Sequence, residues 1–393
     1  MLGSSSSHLV VLLASVLKPV DDTRMRGKFA ETLASRAQTQ VHVAGRGSLD
    51  GPAAAPDKSA QIFQHSIFHG SRLSAARLAA QWRYWRLLHR LVPTVVIVHA
   101  PELLPLTLLW QRLGRGRHFL YDIRENYALN VATQRVYRGL VRRGLAAGLR
   151  WVETRAARRA AGLLLAEASY AWQLPFLREL PASRVVVLEN KYQPLPGEVA
   201  PAAPRTLPTP TEPLRLLYSG TISELNGVWE AVALAAQLRP AWPGGVQLTI
   251  IGFCQQPALL RRLQEVVSQH PAWLRLEGGA APVPHARILA EIGRSHLGLL
   301  PYRPHPSTEH CRPTKLFEYL AHGLPIIATP NALWQELLDR HGAGVSLDFA
   351  QPIDGPALVA RLQGSFFYPH APPTEALWAA EGKKLWLLLD SLF

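Results

Sequence analysis

Apolar residues in this chain fall into short unbroken runs, separated by longer stretches in which they recur at helical spacing. In the first half, HLVVLLASVL, TVVIVHA, HFLYDI, GLLLAEA and RVVVLEN are continuous apolar runs of strand length. Unbroken runs of this kind are expected of parallel strands buried on both faces. Between them, LSAARLAAQWRYWRLLHRL and the Arg/Ala-rich stretch from Val131 to Ala160 read as helices. The second half repeats the plan with LRLLYSG, VQLTIIGF, WLRLEGG, HLGLLPY and PIIAT, each followed by a helical segment. Strands alternating with helices predict an α/β protein built on parallel sheets.

The two halves are separated by Pro194 to Pro213, which holds seven prolines in twenty residues. Proline removes a backbone donor and fixes φ, so neither sheet nor helix tolerates that density, and the segment reads as a linker. The expected division is an N-terminal Rossmann-like domain over residues 1–193, a linker over 194–213, and a C-terminal Rossmann-like domain over 214–372. A terminal helix over 373–393 has its apolar face at Leu377, Leu385, Leu388 and Leu389. Two domains agree with a length of 393 residues, too long for one ordinary core. Two such domains are expected to face each other across a cleft. Ligands of open parallel sheets bind in the loops beyond the strand carboxyl ends, so chemistry is sought there.

Composition narrows the setting. Hydrophobic residues at 48% and charged residues at 18% fit a folded globular chain rather than a disordered one. Cys254 and Cys311 are the only cysteines, so no disulfide framework exists and a reducing cytoplasm is expected. The run His8 to Leu17 is about half the ~20 residues a spanning helix needs. Val92 to Trp110 is interrupted by His99, Glu102 and three prolines. The expectation is a protein that is soluble or peripheral on the inner face of a membrane.

Charge then adds a partner. Residues 1–200 carry 27 Lys+Arg against 13 Asp+Glu, whereas residues 201–393 carry 15 of each. The +14 excess therefore sits wholly in the first half. Such asymmetry points to an anionic partner: lipid head groups, a phosphorylated acceptor, or nucleic acid. The segment QWRYWRLLHR, with arginines 135, 138, 142, 143, 150, 155, 158 and 159, has the composition of a surface that lies on an anionic bilayer. Trp82 and Trp85 would enter the interface. The competing reading is an ordinary helix with its tryptophans in the core. No nucleic-acid recognition motif is present.

The most informative stretch is PYRPHPSTEHCRPTKLFEYLAHGLPIIAT, residues 301–329. Pro313 or Thr314 opens a short helix, and Gly323 closes it before the next strand. Leu316, Phe317 and Leu320 form its packed face, while Lys315 and Glu318 share another. On a ligand-facing helix start, the carboxylate accepts hydrogen bonds from a ribose diol, and the ammonium and free N–H groups suit a diphosphate. Spacing alone equally allows a surface ion pair worth a few tenths of a kcal/mol.

PTKLFEYLAHGLPIIAT resembles the donor-binding segment of retaining glycosyltransferases of family 4, in which the glutamate-bearing helix is followed by A-x-G-x-P and an apolar strand. LYSGTISELNGVWEAVALAAQL is similar to the glycine loop and helix that open the C-terminal domain in that family. VQLTIIGF, reaching Gly252, fits the strand after it. The resemblance covers most of residues 214–345 and implies the GT-B architecture, with a nucleotide-sugar donor and no metal or other cofactor. It places Glu318 on the donor ribose and the backbone of Gly220 and Thr221 on the diphosphate, with Asn226 and Gly227 close by. Arg312, Thr314 and Lys315 join the donor side by charge and position. No Asp-x-Asp occurs in the chain.

Three positions depart from the family pattern. The first acid of Glu-x7-Glu would fall at residue 310, which is His310, with Glu309 one position off. Asn226 stands where many members carry a lysine before the glycine, and Arg124 where many carry a histidine near the reacting carbon. These mark a divergent subgroup or an inactive relative.

In the first half, KPVDDTRMRGK follows a strand and offers Lys18, Asp21, Asp22 and Arg24 to an acceptor or diphosphate, with a solvated loop as the plain alternative. His99 ends TVVIV, where a structural histidine competes with one that reaches the acceptor. Arg124, Glu125 and Asn126 form a polar cluster at another strand end, costly to bury without a ligand. Asn190 and Lys191 are weaker candidates. The catalytic set is thus Glu318, Lys315, Glu125 and His99. The expected reaction is sugar transfer from a nucleotide donor to the hydroxyl of a saccharide or lipid-linked acceptor, with retention. The alternatives are a GT-B nucleotide-sugar epimerase and a catalytically silent binding module.

Overall fold

A computed structural model describes residues 9–47, 61–71, 74–133, 139–195, 197–198, 201, 203–306 and 308–393. Arg135 and Arg138 lie outside the described residues. The chain divides into two compact units: Met1–Gln193 with Trp378–Phe393, and Pro194–Leu377.

The first unit runs β1 (Leu9–Pro19), α1 (Glu31–Ala34), β2 (Thr39–Arg46), β3 (Ile62–Phe68), α2 (Ala76–Leu91), β4 (Val95–Val98), α3 (Leu104–Arg112) and β5 (His118–Ile123). It continues with α4 (Tyr127–Thr133), α5 (Gly139–Arg159), β6 (Gly162–Leu165), α6 (Tyr170–Gln173) and β7 (Val185–Val187). Its strands form one parallel sheet in the order β3-β2-β1-β4-β5-β6-β7. Successive side chains of a strand point to opposite faces, and β1 shows the consequence. Leu12, Ala14 and Val16 join a core with Tyr84, Leu88, Trp110 and Ala156 of α2, α3 and α5. Val11 and Leu13 join a second core with Phe29, Leu33, Trp378, Leu385 and Leu389.

The second unit runs β8 (Leu214–Thr221), α7 (Val228–Leu238), β9 (Val246–Phe253), α8 (Pro257–Gln269), β10 (Leu274–Gly279), α9 (His285–Arg294) and β11 (Leu297–Leu300). Then follow α10 (Thr314–Ala321), β12 (Ile326–Ala328), α11 (Ala332–His341), β13 (Gly344–Ser346) and α12 (Gly355–Gln363). Its six strands are also parallel, in the order β10-β9-β8-β11-β12-β13. Both sheets are Rossmann-like, as the alternation of apolar runs predicts.

Every apolar run read as a strand is one, but β2, β3 and β13 escape that reading. β2 and the edge strand β3 interleave polar residues with apolar ones, and His42 faces His65 across them at 3.0 Å. β13 is three residues long. The last helix, α13 (Ala379–Asp390), packs in the first unit although it follows the second in sequence. Trp378 anchors the segment, its backbone N–H donating to the Tyr192 carbonyl at 2.6 Å and its indole to Thr32 Oγ1 at 2.9 Å. Among the described residues, no helix is long and apolar enough to cross a membrane.

Candidate functional site

In the second unit the chemistry gathers where β8 and β9 end and α10 begins. Gly220, next to last in β8, sits at φ +88° and pairs with Gly252 of β9, itself at φ +152°. A Cβ on Gly252 would lie 1.7 Å from the Gly220 carbonyl oxygen, so only glycine fits there. Gly227, at φ +79°, opens α7, and a Cβ on it would lie 1.7 Å from the Pro301 carbonyl oxygen. The intervening loop is tied by Asn226, whose backbone N–H donates to Ser223 Oγ at 3.1 Å and whose amide donates to the Thr221 carbonyl at 3.2 Å.

α10 starts at Thr314 after Pro313 and is followed by Gly323 at φ +59°, the helix the sequence predicts. It is fastened to the end of β8 by the 2.8 Å contact between Tyr319 Oη and Ser219 Oγ. Lys315 and Glu318 do not pair on a surface. Lys315 is buried, and its Nζ has no hydrogen-bond partner among the described residues. That ammonium lies 4.7 Å from the Tyr218 ring centroid and 5.3 Å from that of Tyr302. A Cβ placed on Gly220 would be 3.8 Å from it. Burial lowers the Lys315 pKa to about 8, against the opposing pull of Glu318. Glu318 Oε1 instead meets His285 Nε2 at 2.9 Å, at the first turn of α9.

A buried ammonium without a protein partner is costly, and an anion at the Gly220 turn would relieve it. Glu318, on the same helix, retains lone pairs for hydroxyl donors beside His285. Arg312 turns toward α11 and pairs with Glu336 at 3.0 Å. Beyond β11, Tyr302, His305, Thr308, Glu309, Asn331 and Trp334 line a cavity of about 350 Å³. Glu309 borders this space, and His310 is exposed beside it.

In the first unit the polar candidates fall into several bonded groups. Arg24 donates through Nε and Nη2 to both oxygens of Asp122, at 2.9 and 2.7 Å, and through Nη1 to the Leu188 carbonyl and Asn190 Oδ1. His99 Nδ1 lies 2.7 Å from Asp122 Oδ2. Burial would raise the Asp122 carboxyl, but Arg24 and His99 outweigh it and hold the group ionised well below the usual range. Burial keeps His99 neutral against the pull of Asp122. Its Nε2 has no partner among the described residues, and Phe29 packs edge-on against the ring with centroids 5.2 Å apart. Arg124 clamps Asp22 through two bonds of 2.8 and 3.1 Å. Lys18 meets Glu125 at 3.5 Å, and Asn126 Oδ1 accepts from Arg150 at 2.7 Å.

The structure gives several of these candidates partners within the first unit. Arg24 and His99 are both buried, and both bond Asp122 at the end of β5. Lys191 pairs with Glu381 of α13 at 2.8 Å. Lys18 and Glu125 keep solvent-exposed area, at 35% and 44% of their side chains. The sequence reading missed Asp122, although an acid inside the apolar run HFLYDI is a signal in itself, because a buried carboxylate needs partners. It also missed His285, which only the fold brings to Glu318.

No family model matches this chain, and no curated protein matches it. Among solved structures it is similar to sucrose-phosphate synthase from Thermosynechococcus elongatus, with a TM-score of 0.64 and 14% identity over 98% of this chain and 99% of that one. It is similar to HepE of Anabaena, solved in complex with UDP and glucose, with a TM-score of 0.60 and 12% identity over 98% and 100% of the two chains. A third similar structure is WaaG, a glycosyltransferase involved in lipopolysaccharide biosynthesis, with a TM-score of 0.55 and 14% identity over 96% and 94%. The two parallel-sheet domains of this chain have the GT-B fold.

Proposed function

We propose that the protein is a glycosyltransferase that moves a sugar from a nucleotide-sugar donor to the hydroxyl of a saccharide or lipid-linked acceptor, with retention and without a metal ion. The observation that carries this reading is the unpartnered Lys315 ammonium beside the Gly220 turn, with Glu318 one helical turn away. In it, Lys315 and the Gly220–Thr221 backbone take the diphosphate and Glu318 takes the ribose. The Glu309 cavity receives the transferred sugar, and Glu125 and Lys18 serve the acceptor side. The bond from the anomeric carbon to the phosphate oxygen breaks, and a bond to the acceptor oxygen forms on the same face. The acceptor proton passes to the departing diphosphate. Lys315 offsets the negative charge that grows on that leaving group. HepE, similar in fold, was solved with UDP. Retention and metal independence are supported by the family 4 resemblance of residues 214–345.

The test is thermal shift with UDP, GDP, ADP and their sugars, with and without EDTA, on the native chain and on Glu318→Ala. The expected result is stabilisation by one nucleotide, unchanged by EDTA, and its loss together with transfer in the variant. Turnover unchanged in Glu318→Ala removes the site assignment. Conversion of the donor with no acceptor present points to an epimerase.

A further inference from the structure

α2, α3 and α5 of the first unit form one layer. The strands they connect succeed one another in a single direction across the sheet, so right-handed crossovers put all three on the same face. Their inner sides share one core, and α3 touches both neighbours. Their outer sides carry large apolar side chains in solvent. On α2, Leu78 and Trp82 are 76% and 58% exposed, and on α5, Val141 and Trp151 are 68% and 67% exposed. Leu109 and Leu113, four residues apart on and just beyond α3, lie between them. Single exposed apolar residues are ordinary, but a row of them across three adjacent helices marks an interaction surface.

The charge on this layer is of one sign. α2 and α3 contain no carboxylate, and Glu153, the one acid of α5, is fully buried against Tyr121. Arg86, Arg112, Arg143 and Arg155 are exposed among the apolar side chains, with Arg86 lying 4.5 Å over the Trp82 ring. Arg158 is drawn to Glu179, and Arg77 to Glu102. Trp85 departs from the sequence expectation, since it packs against the core.

We infer that the outer face of α2, α3 and α5 docks on an anionic lipid bilayer. The surface needs phosphates for its guanidinium groups and apolar depth for its leucines and tryptophans, and an anionic bilayer supplies both. A nucleic-acid backbone supplies the first without the second. This inference rests on the first unit alone and stands apart from the donor site.

The experiment is vesicle flotation of the full chain with phosphatidylcholine alone and with phosphatidylcholine mixed with phosphatidylglycerol. Brominated lipid serves as a quencher of tryptophan fluorescence. Two variants accompany the native chain, Trp82→Ser with Trp151→Ser and Arg143→Glu with Arg155→Glu, each checked for a native melting curve. The expected result is flotation only with the anionic vesicles, quenching by brominated lipid that the tryptophan variant loses, and binding at least about tenfold weaker in the arginine variant. Equal binding to neutral vesicles overturns the inference. So does failure to bind either kind, or native affinity in both variants. Binding to soluble polyanions without vesicle binding also rejects it.

Discussion

Lys315 shows how one residue acquires a role from its surroundings. A lysine at the start of an exposed helix is a solvated charge. Here Tyr218, Tyr302 and the end of β8 enclose it, and among the described residues no group accepts a hydrogen bond from it. Its lowered pKa of about 8 has a sign that can be tested. The ammonium present below that pH attracts a diphosphate, whereas the amine formed above it does not. Nucleotide affinity is therefore expected to fall as pH rises through about 8, with Lys315→Met weak and flat across that window. Calorimetric titration with the stabilising nucleotide checks both, and a flat native profile removes Lys315 from the diphosphate. The Arg24–Asp122–His99 cluster works in the opposite way. Its charges are satisfied by one another at the end of β5, whereas Lys18 and Glu125 keep solvent-exposed area.

At the scale of elements, the proposed donor site depends on glycines that let two strands and a loop meet. Gly252 is the most constrained, because a Cβ there would strike the Gly220 carbonyl, the backbone expected to face the ligand. Gly252→Ala is expected to displace the Gly220 turn, to destabilise the protein by more than about 2 kcal/mol, and to abolish nucleotide binding. Gly245→Ala is the control: its φ of +77° is also left-handed, but no atom lies within 4 Å of the added methyl. It should cost about 1 kcal/mol from backbone strain and leave binding intact. Urea denaturation and the thermal-shift assay separate the two, and similar behaviour of both variants would refute the packing argument. The sequence already contained this element order. LYSG, VQLTIIGF and PTKLFEYLAHGLPIIAT announce strand, loop and helix by composition, since glycine and proline mark where chains turn. β2 and β3 were illegible because an edge pair with interleaved histidines has neither a buried run nor a clean alternation.

For the whole molecule, histidines held at lowered pKa shape the response to acid. Burial, joined by neighbouring charge, lowers His42 and His65 to about 4 each; His65 and Arg90 act on His42, and Arg90 on His65. Burial lowers His99 and, in the second unit, His296 as well. Each stays neutral in the folded chain while its unfolded counterpart takes up a proton near pH 6.5. Stability is thus full above about pH 6.5 and declines as pH falls toward 4. Asp22 and Asp122, whose pKa values are depressed, matter only below that window. The melting temperature should drop by several degrees between pH 7 and pH 5, and a constant or rising value would contradict the assignment of neutral buried histidines.

What the sequence determined by itself was the plan: two parallel α/β halves, a proline-rich break between them, a basic first half, and one helix on which Lys315 and Glu318 share a side. These are local properties, carried by hydrophobic period, turn residues and composition. Tertiary structure alone decided which charges find partners within the fold. Asp122 meets Arg24 and His99, His285 meets Glu318, and α13 returns to the first unit, all through contacts between residues far apart in the chain. Burial then converts those contacts into shifted protonation and unpaired donors, which depend on the three-dimensional neighbours of a side chain and not on its neighbours in sequence.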